Sequence, residues 1–144
     1  MAVDLDQGKL ADMRIQHLGM VQAIVSRMAG YSATLKNYCL TITAAICGFA
    51  VTVKEPLVLA AAVAPIIIFA LLNAQYLRLE RQFRALFDEI RAGDWSKRPD
   101  FEINLKKAPP IPYWDVFFSW SIGSFYIPLG IAIIVALLIS WMIS

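Results

Sequence analysis

The chain has 144 residues, of which 59% are hydrophobic and 17% charged, with a formal net charge of +2. A soluble domain carries nearer half apolar and a quarter charged residues, so this composition points to a bilayer rather than to water. A net charge of +2 is too small to suggest nucleic acid as a partner.

The first stretch, "MAVDLDQGKLADMR", is acidic and has no apolar h-region, so it is not read as a cleavable signal peptide. From Gln7 to about Lys36 the sequence predicts an amphipathic helix. Its apolar stripe is Leu10, Met13, His17, Met20, Ile24 and Met28, recurring at three- and four-residue steps. "IQHLGMVQAIVS", Ile15 to Ser26, is uncharged but only 12 residues long and ends at Arg27. An arginine at mid-bilayer costs about 2.5–3.5 kcal/mol even on the lenient insertion scale, so a span is not expected here.

Three uncharged segments approach the roughly 20 residues that a spanning helix needs. They are 37–53, 56–77 and a run from Val116 to Ser144, whose spanning part is placed at 125–143. The first part of that last run, "VFFSWSIGSFYIP", is expected at the interface. Between the first two spans lies only "VKEP". Pro56 suits a first helical turn, where its missing N–H costs nothing, and Glu55 favours the positive end of the helix dipole. The two spans are therefore expected as a tight helical hairpin.

The second span runs into "YLRLERQFRALFDEIR" with no Gly or Pro between. Leu79, Phe83, Leu86 and Ile90, following Tyr76, form a second stripe over 78–92. Glu80 with Arg84, and Arg84 with Asp88, stand at i,i+4 on what is expected to be the solvated side. The fold predicted is thus an all-α membrane protein, a single membrane domain with three transmembrane helices. Two long helices, roughly Gln7 to Val53 and Pro56 to Ala92, pair as a long antiparallel hairpin extending into the cytoplasm. The N-terminal stripe is the longer of the two. Its excess is expected to be covered by the connector 93–115 or by a neighbouring subunit. That connector carries four of the seven prolines, and "APPIP" suits polyproline II.

Lys9, Arg14, Arg27 and Lys36 precede the first span, and eight more Lys and Arg lie between the second and third. Only Lys54 is on the other side. Positive residues stay inside, so the N-terminus is expected in the cytoplasm and the C-terminus in the periplasm. Tyr38, Tyr76, Trp114 and Trp120 suit the inner interface, and Trp141 the outer one.

Little in the chain suggests catalysis. His17 is the only histidine. It is read as a packed side chain, with a pH-sensitive or register-setting role as the alternative. Cys39 and Cys47 are two helical turns apart, out of disulfide reach, and read as small apolar fillers. Asp88 and Glu89 are adjacent and point about 100° apart on a helix. No phosphate loop, nucleophile elbow or metal-ligand spacing occurs, so no enzyme activity and no cofactor is expected.

Asn73 and Gln75 are the strongest polar residues at depth. Each is either an interhelical hydrogen-bonding group or part of a polar constriction. Small residues recur along one face of the first helix, at Thr34, Asn37, Thr41, Ala44, Gly48 and Thr52, and every fourth position at Ala132, Ala136, Ser140 and Ser144. Such faces pack helices within a chain, join subunits, or wall a weakly selective pore.

"RIQHLGMVQAIVSRMAGYSATLKNY", two spans, "YLRLERQFRALFDEIR" and a terminal span together resemble a family of small, mostly uncharacterised bacterial inner-membrane proteins. In plan the chain also resembles the SLATT class of membrane effectors in antiviral defence systems, from which it departs by its third span. The resemblance implies a homo-oligomeric pore former or membrane-perturbing effector in the bacterial inner membrane, with the bilayer and a soluble cytoplasmic trigger protein as partners. It transfers Arg14, His17, Arg27, Arg78, Glu80 and Arg81 only as fingerprint positions, without roles. The alternative is a non-conducting anchor that tethers a soluble partner.

Overall fold

The structure, a computed structural model, describes residues 6–143. Among these the chain is all-helical, with no strand, and three of its helical runs are long and apolar enough to cross a membrane. The first helix, α1, runs Gln7–Val53 without a break. At 1.5 Å per residue it is about 70 Å long, more than twice a hydrocarbon layer. It stops at Lys54, whose left-handed backbone (φ 58, ψ 32) returns its N–H to the Ala50 carbonyl at 2.9 Å. Glu55 is extended, and Pro56 opens the short α2, Pro56–Ala60.

The helix predicted over Pro56 to Ala92 is present as one helical run with a local tightening near its start. At Ala61–Ala62 the backbone stays right-handed helical but its hydrogen-bond pattern tightens, which divides the run Pro56–Ala92 into α2 and α3, Val63–Ala92. Pro65 is the cause. It has no N–H for the Ala61 carbonyl, and its ring crowds that group. The bonds tighten to three-residue steps instead, Ala62 to Leu59 at 3.1 Å and Ala64 to Ala61 at 3.2 Å.

Contacts between α1 and α3 pair Arg14 with Ile90, Ser32 with Asn73, and Cys39 with Pro65, so the two helices pass in opposite directions. The buried side chains of α1 are Leu10, Arg14, His17, Val21, Val25, Ser32, Cys39, Thr43 and Ala50. They step by three, four and seven, the 3.5-residue period that keeps one seam on one partner.

This seam is rotated by about one residue from the stripe predicted on α1. Leu10 and His17 lie in it, but Met13, Ile24 and Met28 are half-buried flanks and Met20 is 47% exposed. Arg14, Val21 and Val25 fill the seam in their place. On α3, Leu86 is fully buried, whereas Leu79, Phe83 and Ile90 flank the seam half-buried. Glu80 was expected on the solvated side. It is only 8% exposed and receives Arg84 at 2.7 Å, while Asp88 pairs with Arg91 at 3.1 Å rather than with Arg84.

The connector wraps the pair. It includes a 3-10 turn, Leu105–Lys107, and buries Pro99 and Ala108. It ends in α4, Tyr113–Phe117, and the last helix α5, Trp120–Ile143. The α5 helix thus begins five residues before the predicted inner edge of the third span. It packs on α2 and α3, where Ala62, Ala70 and Ala74 let Ile122, Tyr126 and Ile133 come close.

Candidate functional site

Three places along the bundle gather the polar residues. The first is a node between helices. Asn73 is 0% exposed and its Oδ1 accepts the Ser32 hydroxyl at 2.5 Å, linking α3 to α1. Four residues earlier the Phe69 carbonyl accepts the Tyr126 hydroxyl at 3.2 Å, which ties in α5. The Asn73 Nδ2 has no partner among the described residues. Asn73 therefore sits inside the chain's own packing, and Gln75, two residues on, is exposed.

The second place is the face of α1 opposite α3. Thr34, Asn37, Thr41, Ala44, Gly48 and Thr52 are all exposed there. The threonine hydroxyls donate to their own helix, Thr34 to Gly30 O at 3.0 Å, Thr41 to Asn37 O at 2.9 Å and Thr52 to Gly48 O at 3.1 Å. Such back-bonding satisfies the hydroxyl without a neighbour. A Cβ added at Gly30 or Gly48 would meet nothing within 4 Å. Glycine inside a helix costs roughly 0.5–1 kcal/mol against alanine, and nothing in the chain's own packing offsets that here. Thr34 to Thr52 spans about 27 Å of helix, close to the thickness of the hydrocarbon layer. On α5, Ala132 is exposed, Ala136 and Ser140 are half-buried, and Ser144 lies outside the described residues.

The third place is a latch at the other end of the α1–α3 pair. Arg14 is 8% exposed and donates to three main-chain carbonyls, Ile90 at 3.1 Å, Asp94 at 2.6 Å and Lys97 at 3.3 Å. Ile90 lies in the last turn of α3 and its carbonyl also accepts the Gly93 N–H at 3.3 Å, while Asp94 and Lys97 lie just past the helix; the guanidinium thus sits at the negative end of the helix dipole. One turn on, His17 is 2% exposed, with Nε2 3.3 Å from the Glu102 carbonyl. A carbonyl only accepts, so Nε2 carries the proton and the buried Nδ1, which has no partner among the described residues, is bare when the ring is neutral. The ring lies 5.5 Å from that of Phe101, a residue held at φ 56.

Lys107 closes the latch, reaching Asp100 at 2.5 Å and Glu102 at 2.7 Å. The Lys107 ammonium holds both carboxyls below the usual carboxylate range, and they push the ammonium up. Further along, Arg78 donates to Ile111 O at 2.7 Å and Tyr113 to Leu71 O at 3.0 Å. Lys36 donates to Ser121 O at 3.1 Å. Between Arg14, His17, Glu89, Arg98 and Lys107 lies a recess of about 320 Å³.

The spacing of residues identified the open face of α1 and the polarity of Asn73. It read Arg14 and Lys36 only as positive charges, and it paired Glu80 with Arg84 but on the solvated side. Arg14 carries one usable signal, since it falls on the 3.5-residue phase of Leu10, His17 and Val21. Among the described residues no group of three His, Cys, Asp or Glu side chains gathers as metal ligands would. Comparison of the chain with protein-family models, with curated proteins and with solved structures finds no match in any of the three.

Proposed function

We propose that this chain is a homo-oligomeric bacterial inner-membrane protein that forms or gates a pore, and that it serves antiphage defence as a membrane-perturbing effector. In this reading α1 and α3 stand as an antiparallel hairpin, half in the membrane and half in the cytoplasm. Twelve of the thirteen Lys and Arg then lie inside, with the N-terminus, and the C-terminus lies in the periplasm. The observation that carries the reading is the open face of α1. It is small, weakly polar and membrane-long, its hydroxyls are already satisfied, and its glycines face empty space within the chain. A second copy approaching that face gives those glycines a use. Several copies so arranged line a lumen without charge rings, which conducts with little selectivity. The link to defence rests on the resemblance in plan to SLATT-type effectors.

The latch supplies the place for a trigger. A cytoplasmic protein that displaces the connector uncovers Arg14, His17 and the seam beneath. The same recess also favours a second reading, a non-conducting anchor that holds a soluble partner by its charged connector.

The test joins assembly to conductance. With Cys39 and Cys47 replaced by alanine, Thr41→Cys is expected to form disulfide-linked dimers in membranes. The wild-type protein is expected to give current in planar bilayers. A monomer in nanodiscs that passes no current removes the pore, and a robust cytoplasmic pull-down partner with no depolarisation selects the anchor.

A further inference from the structure

The end of the bundle where α1 turns into α2 holds a cleft that the pore reading does not use. The α5 helix rests on α2 and α3 rather than along α1, and the space between is about 630 Å³. Its walls are Cys47 and Ala50 on α1, Leu59 on α2, and Ala136 and Ile139 on α5, with Ser140 near the mouth. Short side chains on both walls, Ala50 and Ala136, are the reason the gap exists.

Such a space does not stay empty in a membrane. A void forfeits the dispersion contacts of every atom that lines it. Water is a poor filler, because each molecule needs two to four polar partners and the walls offer a thiol and a hydroxyl. The filler that the surroundings supply is hydrocarbon. The mouth then decides whose hydrocarbon. Lys54 and Glu55 both line it, are both exposed, and neither enters an ion pair among the described residues. Lys54 is also the only Lys or Arg between Lys36 and Arg78, so it is the lone cation at this end of the bundle. A cation and an anion side by side match a phosphate next to an ammonium. A headgroup with only negative charge meets repulsion from Glu55, and a quaternary ammonium has no N–H to give to its carboxylate.

We propose that this cleft is a phospholipid site, holding one acyl chain between α1 and α5 and gripping a zwitterionic, primary-amine headgroup through Lys54 and Glu55. The site depends on the helices crossing a bilayer and is independent of whether the open face of α1 conducts. It gives the short α1–α2 turn a task, since that turn presents both charges at the level where headgroups lie.

Native mass spectrometry of the full chain, released from nanodiscs of equal parts phosphatidylethanolamine and phosphatidylglycerol, tests it. The expected result is one tightly retained lipid per chain, with phosphatidylethanolamine favoured about tenfold, the preference that one charge-assisted contact supports. Ala136→Phe, which fills the cleft, should lower retention at least fivefold while leaving the thermal midpoint of the detergent-solubilised chain in place. Lys54→Gln with Glu55→Gln should keep the retained chain but bring the headgroup preference close to one. No retained lipid, equal preference in the wild type, or unchanged retention in Ala136→Phe overturns the proposal. So does disulfide linkage between copies through native Cys47, which would put a second chain in the cleft. A chain that binds lipid as expected yet passes no current leaves this site standing and removes the pore alone.

Discussion

The two faces of α1 carry similar residues and spend them differently. Toward α3 stand Ser32, Cys39, Thr43 and Ala50; on the opposite face stand Thr34, Asn37, Thr41, Gly48 and Thr52. Both sets are small and weakly polar, and both recur with a period near 3.5. Ser32 gives its hydroxyl to Asn73 on another helix, whereas Thr34, Thr41 and Thr52 give theirs to the turn behind them. The first choice commits a face to one neighbour. The second leaves it complete in itself and free to meet lipid or another copy. Where Ser32 and the three threonines donate separates the two, while Thr43 on the committed face is buried with no partner for its hydroxyl among the described residues.

Substitutions that strike one face and spare the other sharpen this contrast. The largest effect is expected on the committed side, at the fully buried Leu86. Leu86→Ala should lower stability by about 2–5 kcal/mol. Ile15→Ala, at a position 57% exposed on the same stretch of the pair, should change it by less than about 0.5 kcal/mol. Denaturant titration in mild detergent measures both. If they cost the same, α1 and α3 are not packed as described.

Asn73→Leu comes next. Membrane hydrogen bonds of this kind are worth about 0.6 kcal/mol and reach about 1.7 kcal/mol, and the substitution also removes an amide nitrogen with no partner. A loss of about 1 kcal/mol with conductance intact is expected, because Asn73 faces α1 inside the chain. Abolished or rectified current would move the constriction to Asn73.

Acid tests the latch. The Asp100 and Glu102 carboxyls are lowered, so their contribution is complete above the ordinary carboxylate pKa of about 4 and is lost as the pH falls through their folded values. The Lys107 ammonium is raised, so its contribution is complete below its ordinary pKa and is lost only as the pH rises through the folded one. The connector should therefore be held at neutral pH and loosen in acid. Hydrogen exchange of residues 99–108 at pH 7 and below pH 4 reads this directly. Equal protection at both would show that Lys107 holds nothing.

The smallest effect on the chain itself is expected on the open face. A Cβ added at Gly48 meets no atom within 4 Å, and Gly48→Leu should leave the thermal midpoint unchanged or slightly higher. Cross-linking through Thr41→Cys should nonetheless fall severalfold in that background. Unchanged cross-linking would show that copies do not meet along this face.

The sequence made the three apolar runs legible because charge-free stretches of that length have few other uses. The ends of α1 were legible too, from the acidic start and the "VKEP" turn. The tightening before α3 was not, because Pro65 is apolar and hydropathy does not register a missing N–H. The seam was misphased by one residue, since reading apolar identities favours Met13 and Met20 over Arg14 and Val21. An arginine is buried there because it bonds three carbonyls, and a carbonyl leaves no trace in the residue type that bears it. The sequence places Glu80 on the solvated side for a related reason, since an i,i+4 pair looks the same from sequence on either side of a helix.

Arg14 has a further consequence of that kind. Its three acceptors belong to the main chain of Ile90, Asp94 and Lys97, so it recognises the path of the backbone and not its lettering. Asp94 is the exception in lettering, because its Oδ1 accepts the Ser96 N–H at 2.9 Å and the Ser96 hydroxyl at 2.6 Å and so shapes the turn that offers the acceptors. A single residue inserted after Gly93 cannot be tolerated, because it carries two of the acceptors out of register at once. Lysine in place of Arg14 would fail for the complementary reason, as a point charge on a flexible stem lacks the rigid fork that spans all three. Along this strap much of the spelling can vary, Asp94 apart, and the length is fixed.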